Sequence, residues 1–279
     1  MVDWNTVIKK RQSIGLMSLR LCAAVLALVT AAACASSPRG TVPAGTAEPD
    51  KFLFDKGTDA LNGKKWLTAR EFFKQVTETY TASQYRPDAK LGIGDTYLGE
   101  GSSEALVLAI NEFTEFLSFY PTNRRADYAQ YKLGMAHFRQ MRLPQRDQTE
   151  TRAALKEFET FIARYPNSSL ISEVQGKQRE TRDRLSEADY EVGYFYYRQK
   201  WYPGAIDRFK TVLKDDPGYT GRDSVYFYLA DALVKVTKDA EALPYLEKLV
   251  QEFEKSEHLA LAQKMIADLK AKVAAKPTP

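Results

Sequence analysis

Cysteine is nearly absent from this 279-residue chain: Cys22 and Cys34 are the only two, and the 245 residues after Cys34 contain none. No disulfide framework can therefore brace the body. Histidine is as scarce, with His137 and His258 far apart in sequence, and neither HExxH nor CxxC occurs. The pattern offers no metal centre and implies no cofactor. A surplus of charge is missing too. Lysine and arginine number 40 against 36 acidic residues. Residues 1–33 hold four of the basic residues and one acid, which leaves 36 against 35 beyond them. A near-neutral body has no electrostatic footprint for nucleic acid. Phosphate-loop chemistry fails on one residue, because the glycines of "LGIGDTYLGEG" are followed by Glu100 where lysine then serine or threonine is required. Carboxylates are plentiful but lie four residues from basic partners, the spacing of solvated helix faces and not of a poised acid–base pair. No catalytic constellation remains, and the expectation is a protein that binds.

The longest apolar run, Leu21–Val29, is about half of the twenty or so residues that a membrane-crossing helix needs. It follows Lys9, Lys10, Arg11 and Arg20 and precedes "TAAAC", the layout of an export signal over residues 1–33. Met17 would open a more compact leader. Small residues ending in Cys34 resemble a bacterial lipobox, with Ala31 at the place where leucine is usual. Cys34 is thus a candidate for acylation, against the simpler reading of an Ala-x-Ala cut beside an incidental thiol. Acyl chains contribute about 0.8 kcal/mol per buried CH₂, and two suffice for stable anchoring. Ala35 in place of aspartate implies the outer membrane. Residues 34–50, with "SSPRGTVPAGTAEPD", read as a flexible tether that spaces the body from the bilayer.

From Lys51 glycine and proline thin out, and apolar residues recur at helical spacing with no strand-like alternation. The fold class is all-α. Four segments align on an alanine: "AREFFKQVTETY", "AINEFTEFLSFYP", "ALKEFETFIARYP" and "AIDRFKTVLKDDP"; "ALPYLEKLVQEF" is a looser fifth. Four residues after each alanine stands Phe73, Phe113, Phe158, Phe209 or Leu246, on the same helix face. Pro121, Pro166 and Pro217 follow three of these helices as stops. Upstream of each, a partner helix carries Gly57, Gly94, Gly134, Gly193 or Ala230, small enough to admit the bulky residue. This is the tetratricopeptide pattern, a superhelix of about five helical hairpins. The third hairpin has eight extra residues within Arg139–Glu150, a protruding polar loop. Between Pro166 and Gly193 some fourteen extra residues predict one long helix with Glu173/Lys177, Arg179/Asp183 and Glu180/Arg184 as solvated i,i+4 pairs. The chain would divide into repeats 1–3 over 51–166, and the long helix, repeats 4–5 and a C-terminal helix over 167–279.

First helices of stacked hairpins line a concave groove. Counted from each small residue, its inner places are Phe54, Thr58 and Leu61; Leu91, Asp95 and Leu98; Tyr131, Met135 and Phe138; Tyr190, Tyr194 and Tyr197; Phe227, Asp231 and Val234. The aromatic rims suit an extended peptide. The alternative is that the long helix fills the groove. In "RDQT", Asp147 or Thr149 is either a helix N-cap or a contact to a partner.

"YPTNRRADYAQYKLGMAHF" followed by "RDQTETRAALKEFETFIARYPNS" resembles the BamD family of β-barrel assembly lipoproteins. The family pattern is carried by Asp127, Tyr128, Tyr131, Asp147, Gln148 and Thr149, and the resemblance runs from about Lys51 to Lys255. It implies a periplasmic lipoprotein scaffold whose N-terminal repeats receive unfolded outer-membrane proteins. It implies further that the C-terminal repeats dock the barrel-forming subunit BamA, alongside the other assembly-complex lipoproteins. The rival reading is another periplasmic tetratricopeptide lipoprotein that serves cell division or pilus assembly.

Overall fold

The computed structural model describes residues 42–274. The leader and Cys34 lie outside them. Eleven helices are formed among the described residues: α1 (Pro49–Asn62), α2 (Trp66–Thr79), α3 (Arg86–Glu100), α4 (Ser103–Phe119), α5 (Ala126–Phe138), α6 (Thr149–Arg164), α7 (Ile171–Arg198), α8 (Tyr202–Asp215), α9 (Arg222–Lys235), α10 (Asp239–Glu252) and α11 (Leu259–Ala274). Helix α1 begins two residues before the expected edge of the tether, and Val42 packs against the first hydrophobic cluster, so the tether's last part adheres to the body. Among the described residues no helix is long and apolar enough to cross a membrane.

Helix ends follow from local chemistry. Proline supplies a preset φ in the first turn of α1, α3 and α8. Ser102 caps α4 by accepting from the Ala105 N–H at 3.2 Å. Helices α4, α6 and α8 end at Phe119, Arg164 and Asp215, just ahead of the three stop prolines. A recurring turn sets the start of α3, α7 and α11. Ser83, Ser168 and Ser256 donate to Asp50, Asp127 and Asp223 at 2.6–2.7 Å. The same hydroxyls accept from the N–H two residues on, at 3.0–3.2 Å. Each such serine closes an ST-turn and ties it to the first turn of the preceding hairpin's first helix.

The hairpins nest as the alanine-to-phenylalanine spacing predicts. Ala69, Ala109, Ala154, Ala205 and Ala242 are fully buried, as are Phe113, Phe158, Phe209 and Leu246. A methyl group added to Gly57 would stand 2.6 Å from Phe73, to Gly94 2.7 Å from Phe113, to Gly134 2.6 Å from Phe158, and to Gly193 2.8 Å from Phe209. Those contacts lie below any real carbon–carbon approach, so the small residue is required by the ring it faces. A methyl group added to Gly92 would stand 2.6 Å from the other side of Phe73, so α1, α2 and α3 meet around one ring. Helix α11 closes the stack by burying Ala262 and Leu269 against the last hairpin, as a capping helix does in a repeat array.

Helix α7 has 28 residues, about 42 Å at 1.5 Å per residue. Its first half serves the third hairpin, where Val174 is buried among Tyr131, Ala154, Phe158 and Phe161. Its last two turns pair with α8 through Tyr190, Gly193 and Phe209. The expected solvated middle is only partly so. Arg179 reaches Asp183 at 2.8 Å, but Lys177 takes Glu180 at 2.9 Å and Glu173 takes Tyr131. The middle turns also dock on the bend after α8. Arg179 and Ser186 donate to Asp216, the Asp183 carboxylate accepts from the Thr220 N–H and hydroxyl at 3.1 Å, and Tyr219 donates to Glu187. Gly176, by contrast, has no atom within 4 Å of where a Cβ would stand. Glycine inside a helix costs roughly 0.5–1 kcal/mol relative to alanine. Gly176→Ala is accordingly expected to raise stability by about that amount, read as a higher urea midpoint.

Candidate functional site

The first helices α1, α3, α5, α7 and α9 present the predicted inner positions with two outcomes. Phe54, Met135, Phe138, Tyr194, Tyr197 and Phe227 are half-buried and face outward along the stack, together with Thr58, Asp95 and Asp231. Leu91, Leu98, Tyr131 and Tyr190 are buried, the two tyrosines to 7% and 9% exposure. For Tyr131 and Tyr190 this corrects the expectation of an open, peptide-facing ring. The residue three before the glycine lies over the hairpin's central phenylalanine, as Tyr190 does over Phe209 at 5.8 Å and Phe54 over Phe73 at the same distance. Tyr131 is closed in addition by α7, whose Glu173 accepts from its hydroxyl at 2.5 Å, while Lys177 sits 4.5 Å above the Phe138 ring. The long helix thus closes over Tyr131 and reaches the Phe138 ring, while Met135 and Phe138 stay half-buried.

On the C-terminal half the rings merge into one surface. Tyr194 stacks on Tyr190 and Tyr197 with centroids 5.9 and 6.2 Å apart and leans on Tyr228 at 4.8 Å. Tyr197 contacts Tyr228 at 5.0 Å and Tyr202 at 5.8 Å. Phe227 lies flat on His258 at 4.5 Å, which carries the surface to the turn before α11. Burial, with a bond to Tyr194, pushes the Tyr228 hydroxyl up to about 12, and burial likewise raises Tyr190 and Tyr197. Tyr190, Tyr197 and Tyr228 therefore stay protonated at any physiological pH, so these three rings offer apolar area and hydroxyls without charge of their own.

A second feature escaped the sequence reading. The residue directly after the small residue is aspartate in "IGDTY" and "LADAL", and each accepts from a tyrosine on the neighbouring first helix. Tyr128 donates to Asp95 at 2.9 Å, and Tyr197 to Asp231 at 2.6 Å. Burial raises the Asp95 carboxyl, partly offset by the Lys132 charge and the Tyr128 bond. Arg125 and Lys132 cover the Tyr128 ring at 4.5 and 5.1 Å. Tyr128 therefore joins α5 to α3.

The inserted loop is ordered by its own residues. Asp147 accepts from the Thr149 N–H at 3.2 Å and hydroxyl at 3.0 Å, a turn just ahead of α6; the N-cap position itself is Gln148, which corrects the expectation of Asp147 or Thr149 there. The Gln148 amide donates to the carbonyls of Leu143 and Arg146 at 2.8 and 2.9 Å, and its oxygen accepts from Thr151 at 2.7 Å. Gln148 is buried. That corrects its expected role as a partner-facing residue: its side chain is spent inside the loop. Asp147 and Thr149 remain exposed.

A family model described as an outer membrane lipoprotein, YfiO, matches residues 46–233, about two thirds of the sequence. The chain belongs to the YfiO outer membrane lipoprotein family. A tetratricopeptide-repeat model matches residues 224–256, which are α9 and α10, the hairpin with the loosest sequence pattern. Among YfiO-type relatives, the Caulobacter vibrioides protein named outer membrane protein assembly factor BamD is 28% identical over 221 residues, covering 79% of this chain and 71% of that one. The Vibrio cholerae protein of the same name is 27% identical over 211 residues, covering 72% and 85%. The family is one of assembly factors and not of enzymes. Of solved structures, the TPR2AB domain of yeast Sti1 in complex with pHSP90 covers 79% of this chain and 98% of that one at 12% identity, with a TM-score of 0.41, too loose to transfer any property.

Proposed function

We propose that this YfiO-family chain is a lipid-anchored scaffold for outer-membrane β-barrel assembly at the periplasmic face. Cys34 holds it to the outer membrane, repeats 1–3 over 51–166 receive extended, unfolded outer-membrane proteins, and the C-terminal part over 167–279 docks a BamA-type barrel subunit beside other assembly-complex lipoproteins. The carrying observation is the match of the family model to residues 46–233, whose relatives bear the name of an assembly factor. The geometry supports the same reading, since a neutral aromatic surface on a stack of helices can hold a partner but has no group placed to cut one. Candidate contacts are Phe54, Tyr128, Met135 and Phe138 for the client and Tyr194 and Tyr197 for the docked subunit, with Asp147 and Thr149 on the loop rim.

Anchoring would raise the effective concentration near membrane-bound partners without any new contact. Co-purification from solubilised envelopes checks the proposal. The natural chain is expected to bring down the barrel-forming subunit, Cys34→Ser to bring down markedly less, and Tyr194→Ala to lose the subunit while keeping its helical spectrum. Recovery of division or pilus proteins in place of barrel-complex subunits would reverse it.

A further inference from the structure

The inserted loop carries a charge arrangement that neither the packing nor the groove uses. Met141, Arg142, Leu143 and Arg146 of the loop and Arg184 of α7 line an open cavity of about 490 Å³. Three guanidinium groups and no carboxylate make up its charged lining. Most of the nearby acids are already engaged; Asp189 and Glu191, which share a second cavity with Arg146, form no ion pair. Glu180 pairs with Lys177, Asp183 with Arg179 and Thr220, Glu187 with Tyr219, Asp147 with Thr149, and Glu150 with His137 at 2.7 Å. Arg184, expected from spacing to pair with Glu180, forms no ion pair with it; it lines this cavity and also borders a neighbouring one that holds Glu180, Asp183 and Glu187. Between the two loop arginines Leu143 is 66% exposed, one of the most exposed large apolar side chains among the described residues.

We propose that this loop is a membrane-contact element, in which Arg142, Arg146 and Arg184 bind the phosphate of an anionic phospholipid while Leu143 enters the acyl boundary. Guanidinium groups match the paired oxygens of a phosphate, and each adds about 1 kcal/mol of attraction near an anionic surface. An apolar tip flanked by arginines is the composition that settles at a lipid interface, with the charged ends kept among the headgroups. Complementary charge and the exposed leucine together favour a lipid over an acidic protein segment, which would not need the leucine in the open. The inference rests on the reading that the chain is tethered at a bilayer. Seven residues separate Cys34 from Val42, which packs on the body, a reach of at most about 29 Å. The loop would turn a one-point tether into two-point contact and so orient the groove.

The test uses the full lipoprotein in phosphatidylcholine vesicles with or without phosphatidylglycerol, with Leu143 replaced by azidophenylalanine and a nitroxide coupled there without touching any thiol. Flotation reads the anchor, and protection of the nitroxide from a water-soluble nickel relaxant reads the loop. Protection is expected only with phosphatidylglycerol, and the triple change Arg142→Gln, Arg146→Gln, Arg184→Gln should cut it on the order of 100-fold, about fivefold per arginine. A nitroxide that stays in water on phosphatidylglycerol vesicles, protection equal in the triple variant, or protection restored by inorganic phosphate or polyglutamate without lipid would each overturn the proposal. A protein that does not float refutes the anchor instead, and titrating the same labelled protein with added vesicles still decides the loop.

Discussion

Phe158→Ala is expected to cost about 3–5 kcal/mol, the range for emptying a fully buried aromatic position. The ring fills the third hairpin between Gly134 and Phe138, in a cluster with Tyr131, Phe161 and Val174 of α7. The residue that faces the ring is glycine, so the partner helix has no side chain at that point to fill the space. Since α7 completes that cluster, the loss should spread to Glu173–Tyr131 and to the anchoring of the long helix. In a repeat protein such damage stays in contiguous units. Hydrogen exchange should show α5, α6 and the first half of α7 opening first, with α9 to α11 still protected. The converse change, Gly134→Ala, pushes a methyl into the ring at 2.6 Å and is expected to cost about 1–3 kcal/mol by overpacking. Loss of helicity confined to α9–α11 in either variant would contradict this nesting.

Arg179→Met is expected to destabilise by about 2–3 kcal/mol at neutral pH. The Asp216 side chain is only 8% exposed and accepts from Arg179 and Ser186, so removing the arginine leaves a buried carboxylate held by one hydroxyl. Arg179 is itself about a third exposed, which places the cost at or below the lower end of the range for buried pairs. Burial alone would raise the Asp216 carboxyl, but the Arg179 and Ser186 bonds and the Arg179 charge hold it below its usual 3.8. A depressed folded-state pKa means that the unfolded chain binds the proton first. The pair's contribution is thus complete above pH 3.8 and fades as pH falls through the lower folded-state value. Urea midpoints of the natural chain and Arg179→Met should differ at pH 7 and converge in strong acid. A gap unchanged across that range would mean that the arginine acts by packing alone.

The hairpins were legible because each is a local event. Alanine, the bulky residue four on, and a glycine in the partner helix all report contacts within one pair of helices, and Gly134 against Phe158 is where the spacing put it. The groove was legible only in part, because its walls depend on how one hairpin rotates against the next. Tyr131 and Tyr190 stand at inner positions by count, yet both are buried, Tyr131 under α7 and Tyr190 against Phe209 and the neighbouring tyrosines. The long helix shows the same limit. Arg179 has Asp183 at the predicted spacing, but its closest partner is Asp216, 37 residues on. Gln148 counts as a site residue by its match to the family pattern, while its contacts are carbonyls of its own loop and the Thr151 hydroxyl. The aspartates after Gly94 and Ala230 were readable signals in hindsight, since a carboxylate beside the packing glycine has a neighbouring first helix within reach.

The most direct test is photo-crosslinking in intact envelopes from benzoylphenylalanine placed at Tyr194, Tyr197 and, separately, Phe54. A scaffold of barrel assembly predicts adducts to the barrel-forming subunit from the two C-terminal positions and to incompletely folded outer-membrane proteins from position 54. Adducts only to division or pilus proteins, or none from any of the three sites in a chain that keeps its helicity, would contradict it.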